Sequence, residues 1–79
     1  MHYAGRFAVK EAVLKAIRTG MIKGISWHDI EVRIGPLGEP SVTLSGGAAA
    51  RAANMGVKAM HVSISHTERY AVASAVADG

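Results

Sequence analysis

The sequence predicts an α+β domain in which an antiparallel sheet carries two main helices, all within residues 1–79. Two observations carry this. Apolar residues recur with helical period over 4–17, then alternate strictly with polar ones at 30–34 and 60–65. Between these blocks lie short turn-forming runs, so the element order is helix, two strands, helix, two strands.

The first helix runs from Ala4 to Ile17. At about 100° per residue, Val9, Ala12, Val13, Ala16 and Ile17 form a broad apolar face, with Phe7 and Leu14 on its rim. Glu11, Lys15 and Arg18 group on the opposite side, while Arg6 and Lys10 lie near the stripe's edge. Thr19-Gly20 is the expected stop. From Ile25 to Ile34 the period changes. Ile30, Val32 and Ile34 alternate with Asp29, Glu31 and Arg33, as in a half-buried strand. Gly35-Pro36-Leu37-Gly38-Glu39-Pro40 is a turn, and Ser41 to Leu44 a returning strand.

Ser45-Gly46-Gly47 opens a second helix over Ala48 to Met55, with Ser45 as a cap and Gly56 as its stop. Met60, Val62 and Ile64 then alternate with His61, Ser63 and Ser65. A polar turn, His66-Thr67-Glu68-Arg69, leads into Tyr70 to Ala77, which alternates again and closes a hairpin.

Length and composition narrow the function classes. Seventy-nine residues exclude a doubly wound nucleotide fold, a full barrel or two independent domains. A chain this small buries only about 60% of its unfolded surface, and its alanine-rich core gains little per residue. With no cysteine there is no disulfide, thiolate metal site or cysteine nucleophile. The four histidines never fall at i, i+4 on a helical pattern. Association with other chains is therefore the expected source of further stability. No apolar run approaches the roughly 20 residues of a membrane helix, and Arg6, Lys10, Glu11 and Lys15 interrupt any signal-peptide pattern. A soluble cytoplasmic protein is the expectation. The net charge of +3 favours an anionic partner: phosphate groups, nucleic acid or an acidic protein.

Three constellations could carry chemistry. Glu11 and Lys15 read either as a surface i, i+4 ion pair or as a hard oxygen ligand beside a cation, which is what a Mg²⁺–pyrophosphate site needs. One carboxylate alone is too few for a metal site. In Ser63-Ile64-Ser65-His66, adjacent strand residues point to opposite faces and no strong third group is at hand, which counts against a hydrolase triad. His66 remains either a hydrogen-bonding residue at a turn or a phosphate contact. Gly35-Pro36-Leu37-Gly38 matches the G-x-x-G of an RNA-binding KH loop, but that loop joins helices and this one joins strands. Trp27 and Tyr70 could stack bases or fill a core.

Taken together, these pieces resemble a family. Arg6-Phe7-Ala8-Val9-Lys10-Glu11-Ala12-Val13-Leu14-Lys15-Ala16 is similar to the helix signature of the holo-[acyl-carrier-protein] synthases, the small phosphopantetheinyl transferases. Thr19-Gly20, Trp27-His28-Asp29-Ile30-Glu31-Val32, Gly38-Glu39-Pro40, Ser63-Ile64-Ser65-His66 and Tyr70-Ala71-Val72-Ala73 follow in the family's order. The resemblance covers essentially the whole chain.

It implies Mg²⁺-dependent transfer of 4'-phosphopantetheine from coenzyme A to a serine of apo acyl carrier protein, with release of 3',5'-ADP, in fatty acid biosynthesis. Glu11 corresponds to the metal-binding glutamate that also helps activate the serine, and Lys15 to the lysine on the pyrophosphate. Both count as catalytic. Arg6 and His66 match positions that contact the 3'-phosphate, and the Gly38–Pro40 loop lies where the adenine is expected. The positive charge suits the acidic carrier protein. The resemblance further implies a trimer with coenzyme A between neighbouring subunits. It also implies a preceding strand whose G-x-D aspartate is a second metal ligand; from Met1 on there is none, so the expectation is an N-terminally truncated family fold. Where the family usually has glycine, Arg18 stands before Thr19-Gly20, able to crowd the pyrophosphate or to contact it. A catalytically inactive remnant that oligomerises or binds coenzyme A is the alternative expectation, and a small basic nucleic-acid-binding module the remoter one.

Overall fold

A computed structural model describes residues 3–18, 24–67 and 69–79, apart from the side chains of Tyr3, Ala4 and His66. The first helix, α1 (Tyr3–Ala16), buries Val9, Val13 and Leu14, with Ile17 just beyond its end. Val9, Val13 and Ile17 recur at i, i+4, so they stack on one face. Two rim residues behave differently from each other. Leu14 is 4% exposed, whereas Phe7 is 43% exposed and sits beside Trp27, ring centroids 5.2 Å apart. The chain leaves the helix through Ile17 and Arg18, and the expected Thr19-Gly20 stop lies outside the described residues.

Residues 25–29 do not extend the first strand, contrary to the period reading. Trp27–Asp29 forms a 3₁₀ turn instead, closed by a capping box between Ser26 and Asp29. The strand β1 starts after it (Ile30–Ile34) and pairs antiparallel with β2 (Pro40–Leu44), from Ile30↔Leu44 to Ile34↔Pro40. Trp27 is therefore not a strand residue.

The second helix, α2 (Gly46–Asn54), begins two residues before the expected Ala48. Ser45 stands at its N-cap but makes no side-chain cap bond. Asp29 takes that role: its Oδ2 accepts from the Ala48 backbone N–H at 3.3 Å and from Ser26 N–H at 3.1 Å. Glycine is required at the entry. Gly46 has φ +54, and a Cβ there would lie 2.7 Å from Asp29 Oδ1, while one on Gly47 would overlap the Gly24 carbonyl oxygen.

The last two strands, β3 (Ala59–His66) and β4 (Ala71–Asp78), pair antiparallel from Ala59↔Asp78 to His66↔Ala71. His66 thus closes β3 rather than opening the polar turn. Thr67 ties that turn, its hydroxyl oxygen accepting from Arg69 N–H at 3.2 Å and Tyr70 N–H at 3.1 Å. The antiparallel strands therefore form two two-stranded sheets, β1–β2 and β3–β4, with β2 beside β3.

The core lies where α1 crosses these sheets: Val9, Val13, Leu14 and Ile17 meet Ile30 and Val32, with Ala48 and Ala52 of α2 completing it. The β4 residues that alternate inward are all alanine (Ala71, Ala73, Ala75, Ala77), so α1 can settle close to the strand. Val72 and Val76 point the other way, 57% and 61% exposed. Among the described residues, no helix is long and apolar enough to cross a membrane.

Candidate functional site

Glu11 and Lys15 stand one turn apart on the exposed side of α1, beside β4. They line a groove of about 520 Å³ whose walls are Ala8, Ala12 and Ala16 of α1 and residues 71–75 of β4. The helix places them there because its apolar stripe is buried, which turns positions 11 and 15 outward together. The ion-pair reading is not what the structure holds. Among the described residues the salt bridges are Arg33–Glu31 at 2.9 Å and His61–Asp78 at 3.8 Å, and neither Glu11 nor Lys15 joins one. A carboxylate and an ammonium group therefore face one alanine-walled groove separately.

That donor set has defined chemical limits. No group of three His, Asp or Glu side chains that could hold a metal occurs among the described residues. Glu11 could still contribute one oxygen ligand to Mg²⁺, an ion bound by one or two carboxylates together with substrate phosphates and water. The residues thus fit a metal shared with a phosphorylated ligand, not a dedicated protein cage. Lys15 offers the complementary point charge for phosphate oxygens.

Arg6 lies elsewhere. It lines a second cleft, about 540 Å³, between the first half of α1 and the segment from Trp27 to Arg33. Its Nη1 donates to the Val32 carbonyl at 2.7 Å, and Lys10 Nζ donates to the Trp27 carbonyl at 3.0 Å. With Phe7 against Trp27, the cleft combines an aromatic wall with Arg6, Lys10 and an Arg33 paired to Glu31, which lines it as well. The sequence reading missed this grouping. Its signal was the 6-7-10 spacing on one side of the helix, but its other half comes from residues 17–26 positions away.

Gly38 and Pro40 belong to the β1–β2 hairpin and line neither cleft. Gly38 (φ +84) donates its N–H to the Gly35 carbonyl at 2.9 Å, and Pro40 opens β2 opposite Ile34. The G-x-x-G match is thus a hairpin loop, not a helix–helix clamp. The backbone of His66 ends β3 opposite Ala71, while its side chain lies outside the described residues. Ser63 is engaged across the hairpin, its Oγ 2.7 Å from Ser74 Oγ. Within one chain, then, Glu11 and Lys15 come together, whereas Arg6 and Gly38–Pro40 sit apart from them.

Known proteins match along nearly the whole length. A family model described as the 4'-phosphopantetheinyl transferase superfamily matches residues 2–75. Curated relatives named holo-[acyl-carrier-protein] synthase include one from Koribacter versatilis, 51% identical over 74 residues, covering 94% of this chain and 59% of the relative. Another, from Desulforudis audaxviator, is 51% identical over 77 residues, covering 98% and 58%. Among solved structures, the Helicobacter pylori holo-[acyl-carrier-protein] synthase in complex with coenzyme A superposes with a TM-score of 0.79 at 35% identity, over 95% of this chain and 63% of that one. The Neisseria meningitidis holo-[acyl-carrier-protein] synthase gives 0.83 at 30% identity, over 96% and 61%. The chain spans about three-fifths of the length of the curated relatives it matches.

Proposed function

The chain belongs to the 4'-phosphopantetheinyl transferase superfamily, and from that premise we propose that it transfers 4'-phosphopantetheine from coenzyme A to a serine of apo acyl carrier protein. The observation that supports this reading most directly is the Glu11–Lys15 groove, where a carboxylate and a cation face a shared cavity without pairing to each other.

In the proposed reaction the serine oxygen attacks the phosphorus that bears the pantetheine arm. The bond from that phosphorus to the bridging diphosphate oxygen breaks, and the oxygen leaves on 3',5'-ADP. Lys15 holds the diphosphate and neutralises the charge that gathers on its oxygens. The Glu11 carboxylate accepts the serine proton and is the residue that would hold Mg²⁺, which supplies further neutralisation when bound. Positioning and charge compensation account for most of such a rate effect.

Arg6 and His66 are assigned to the 3'-phosphate and the Gly38–Pro40 loop to the adenine. Because Arg6 and this hairpin stand apart from Glu11 and Lys15 within one chain, the reading requires residues from neighbouring copies, as in a trimer. The net charge of +3, with Arg6 and Lys10 lining the aromatic cleft beside Trp27, suits an acidic carrier protein, whose encounter it would steer. Such substrates put the reaction in the cytoplasm. A second reading, coenzyme A binding without transfer, draws on the single carboxylate in the groove.

Mass spectrometry of apo acyl carrier protein incubated with the chain, coenzyme A and Mg²⁺ separates the two. Transfer adds the phosphopantetheine mass, and Glu11→Ala or Lys15→Ala lowers its rate about 10²–10³-fold. A carrier that stays unmodified while coenzyme A binds favours the second reading.

A further inference from the structure

The last strand is a sheet edge without protection. Among the described residues β4 pairs with β3 alone, so alternate residues along its other side direct N–H and C=O groups away from the sheet. Natural edges are commonly blunted by a charged side chain, a proline or a bulge. Between Ala71 and Ala77 there is no charge and no proline, and the register with β3 runs unbroken from His66↔Ala71 to Ala59↔Asp78. Such an edge is a template for a further strand.

The order of residues along β4 points to the strand it fits. Ala71-Val72-Ala73-Ser74-Ala75-Val76-Ala77 reads the same in both directions about Ser74. Antiparallel partners run in opposite directions, so this segment meets a second copy of itself with like residue against like. With Ser74 on the two-fold axis, Val72 of each copy falls opposite Val76 of the other, and Ala73 opposite Ala75. Directly opposite residues share a face, so the exposed valines pair on one side and the alanines line the side under α1. A slip of two residues sets valine against serine. The helices leave room for this. Because α1 packs on β3 as well as β4, it stands about 10 Å from its two-fold mate, an ordinary helix–helix distance. Its side along the β4 groove carries Ala8, Ala12 and Ala16, small enough for that approach.

We propose that β4 is a self-recognition edge, by which two copies of the chain join antiparallel about Ser74 into one four-stranded sheet. A two-fold contact of this kind closes after two copies and does not propagate. Nothing in the pairing depends on the transferase reading.

Cysteine placement tests the register directly, because the chain has no cysteine of its own. Opposite Cα atoms in an antiparallel pair lie about 4.5–5.5 Å apart, within disulfide reach. Under oxidised glutathione, Ser74→Cys should become a covalent dimer on a non-reducing gel. Val72→Cys should link only when mixed with Val76→Cys, since the two copies of residue 72 stand about 13 Å apart along the strands. In sedimentation the wild-type chain should form a dimer. Val72→Lys/Val76→Lys should weaken it about tenfold more than Val72→Lys/Val76→Glu, which sets opposite charges against each other. A wild-type chain that stays monomeric or trimeric overturns the proposal. So does Val72→Cys linking to itself as fast as Ser74→Cys, or a lysine–glutamate variant as dissociated as the double lysine.

Discussion

Asp29 ties the 3₁₀ turn to α2 through its carboxylate and its backbone carbonyl. It closes the 3₁₀ turn by accepting from Ser26 N–H, and it caps α2 by accepting from Ala48 N–H, 19 residues along the chain. Its own carbonyl accepts from Ser45 N–H at 2.9 Å, fixing where α2 starts. Asp29→Ala leaves these donors to water or to nothing, so stability should fall by about 1–2 kcal/mol, measured by urea unfolding. Asp29→Asn keeps one acceptor oxygen and should recover part of the loss. An alanine variant as stable as wild type would mean that Ser45 can take over the cap. Part of this was legible in the sequence. Ser26 and Asp29 have the three-residue spacing of a capping box, although the chain's period had suggested a strand there. The second role of Asp29 was not legible, because Ser45 stands in the ordinary local N-cap position and only tertiary folding brings Asp29 to it.

Elements were readable in proportion to how locally their pattern is set. The apolar face of α1 followed from periodicity because Val9, Val13 and Ile17 need only a helix and something to cover them. Leu14 and Phe7 were not separable by the same argument, since both lie on the rim. What separates them is Trp27, which meets Phe7 from another segment and holds it at the surface. In β4 alternation identified a strand but not its inner face. The smaller set faces inward, because α1 lies directly over Ala71, Ala73 and Ala75. The seam thus relies on a few larger residues from the helix side. Ile17, fully buried where α1 ends, should be the most sensitive: Ile17→Ala should cost about 2–5 kcal/mol by denaturant unfolding. A loss well under 1 kcal/mol would show that neighbouring side chains collapse into the space.

For the whole molecule, the residues with assigned roles do not converge within one copy. The pair at Glu11 and Lys15 was legible because both its members ride one helix, one turn apart. How Arg6 and the Gly38–Pro40 hairpin relate to that pair depends on how copies meet, which periodicity and motif spacing do not encode. The surface carries a mark of such a meeting. A domain of this length buries only about 60% of its unfolded surface. Even so, the outward face of β4 leaves Val72 and Val76 more than half exposed, with Tyr70 at 60% just before the strand. Covering that face in an assembly would make association part of the folding free energy, so the unfolding midpoint should rise with protein concentration. Val76→Lys places a charge on the same face, where its long stem stays solvated in a monomer but is penalised at an apolar contact. The variant should therefore melt at a midpoint that no longer depends on concentration, and it should run as a smaller species in analytical ultracentrifugation. A wild-type midpoint that stays fixed over a wide concentration range would mean that the valine face remains open, and that the clefts of a single copy must do whatever binding the chain does.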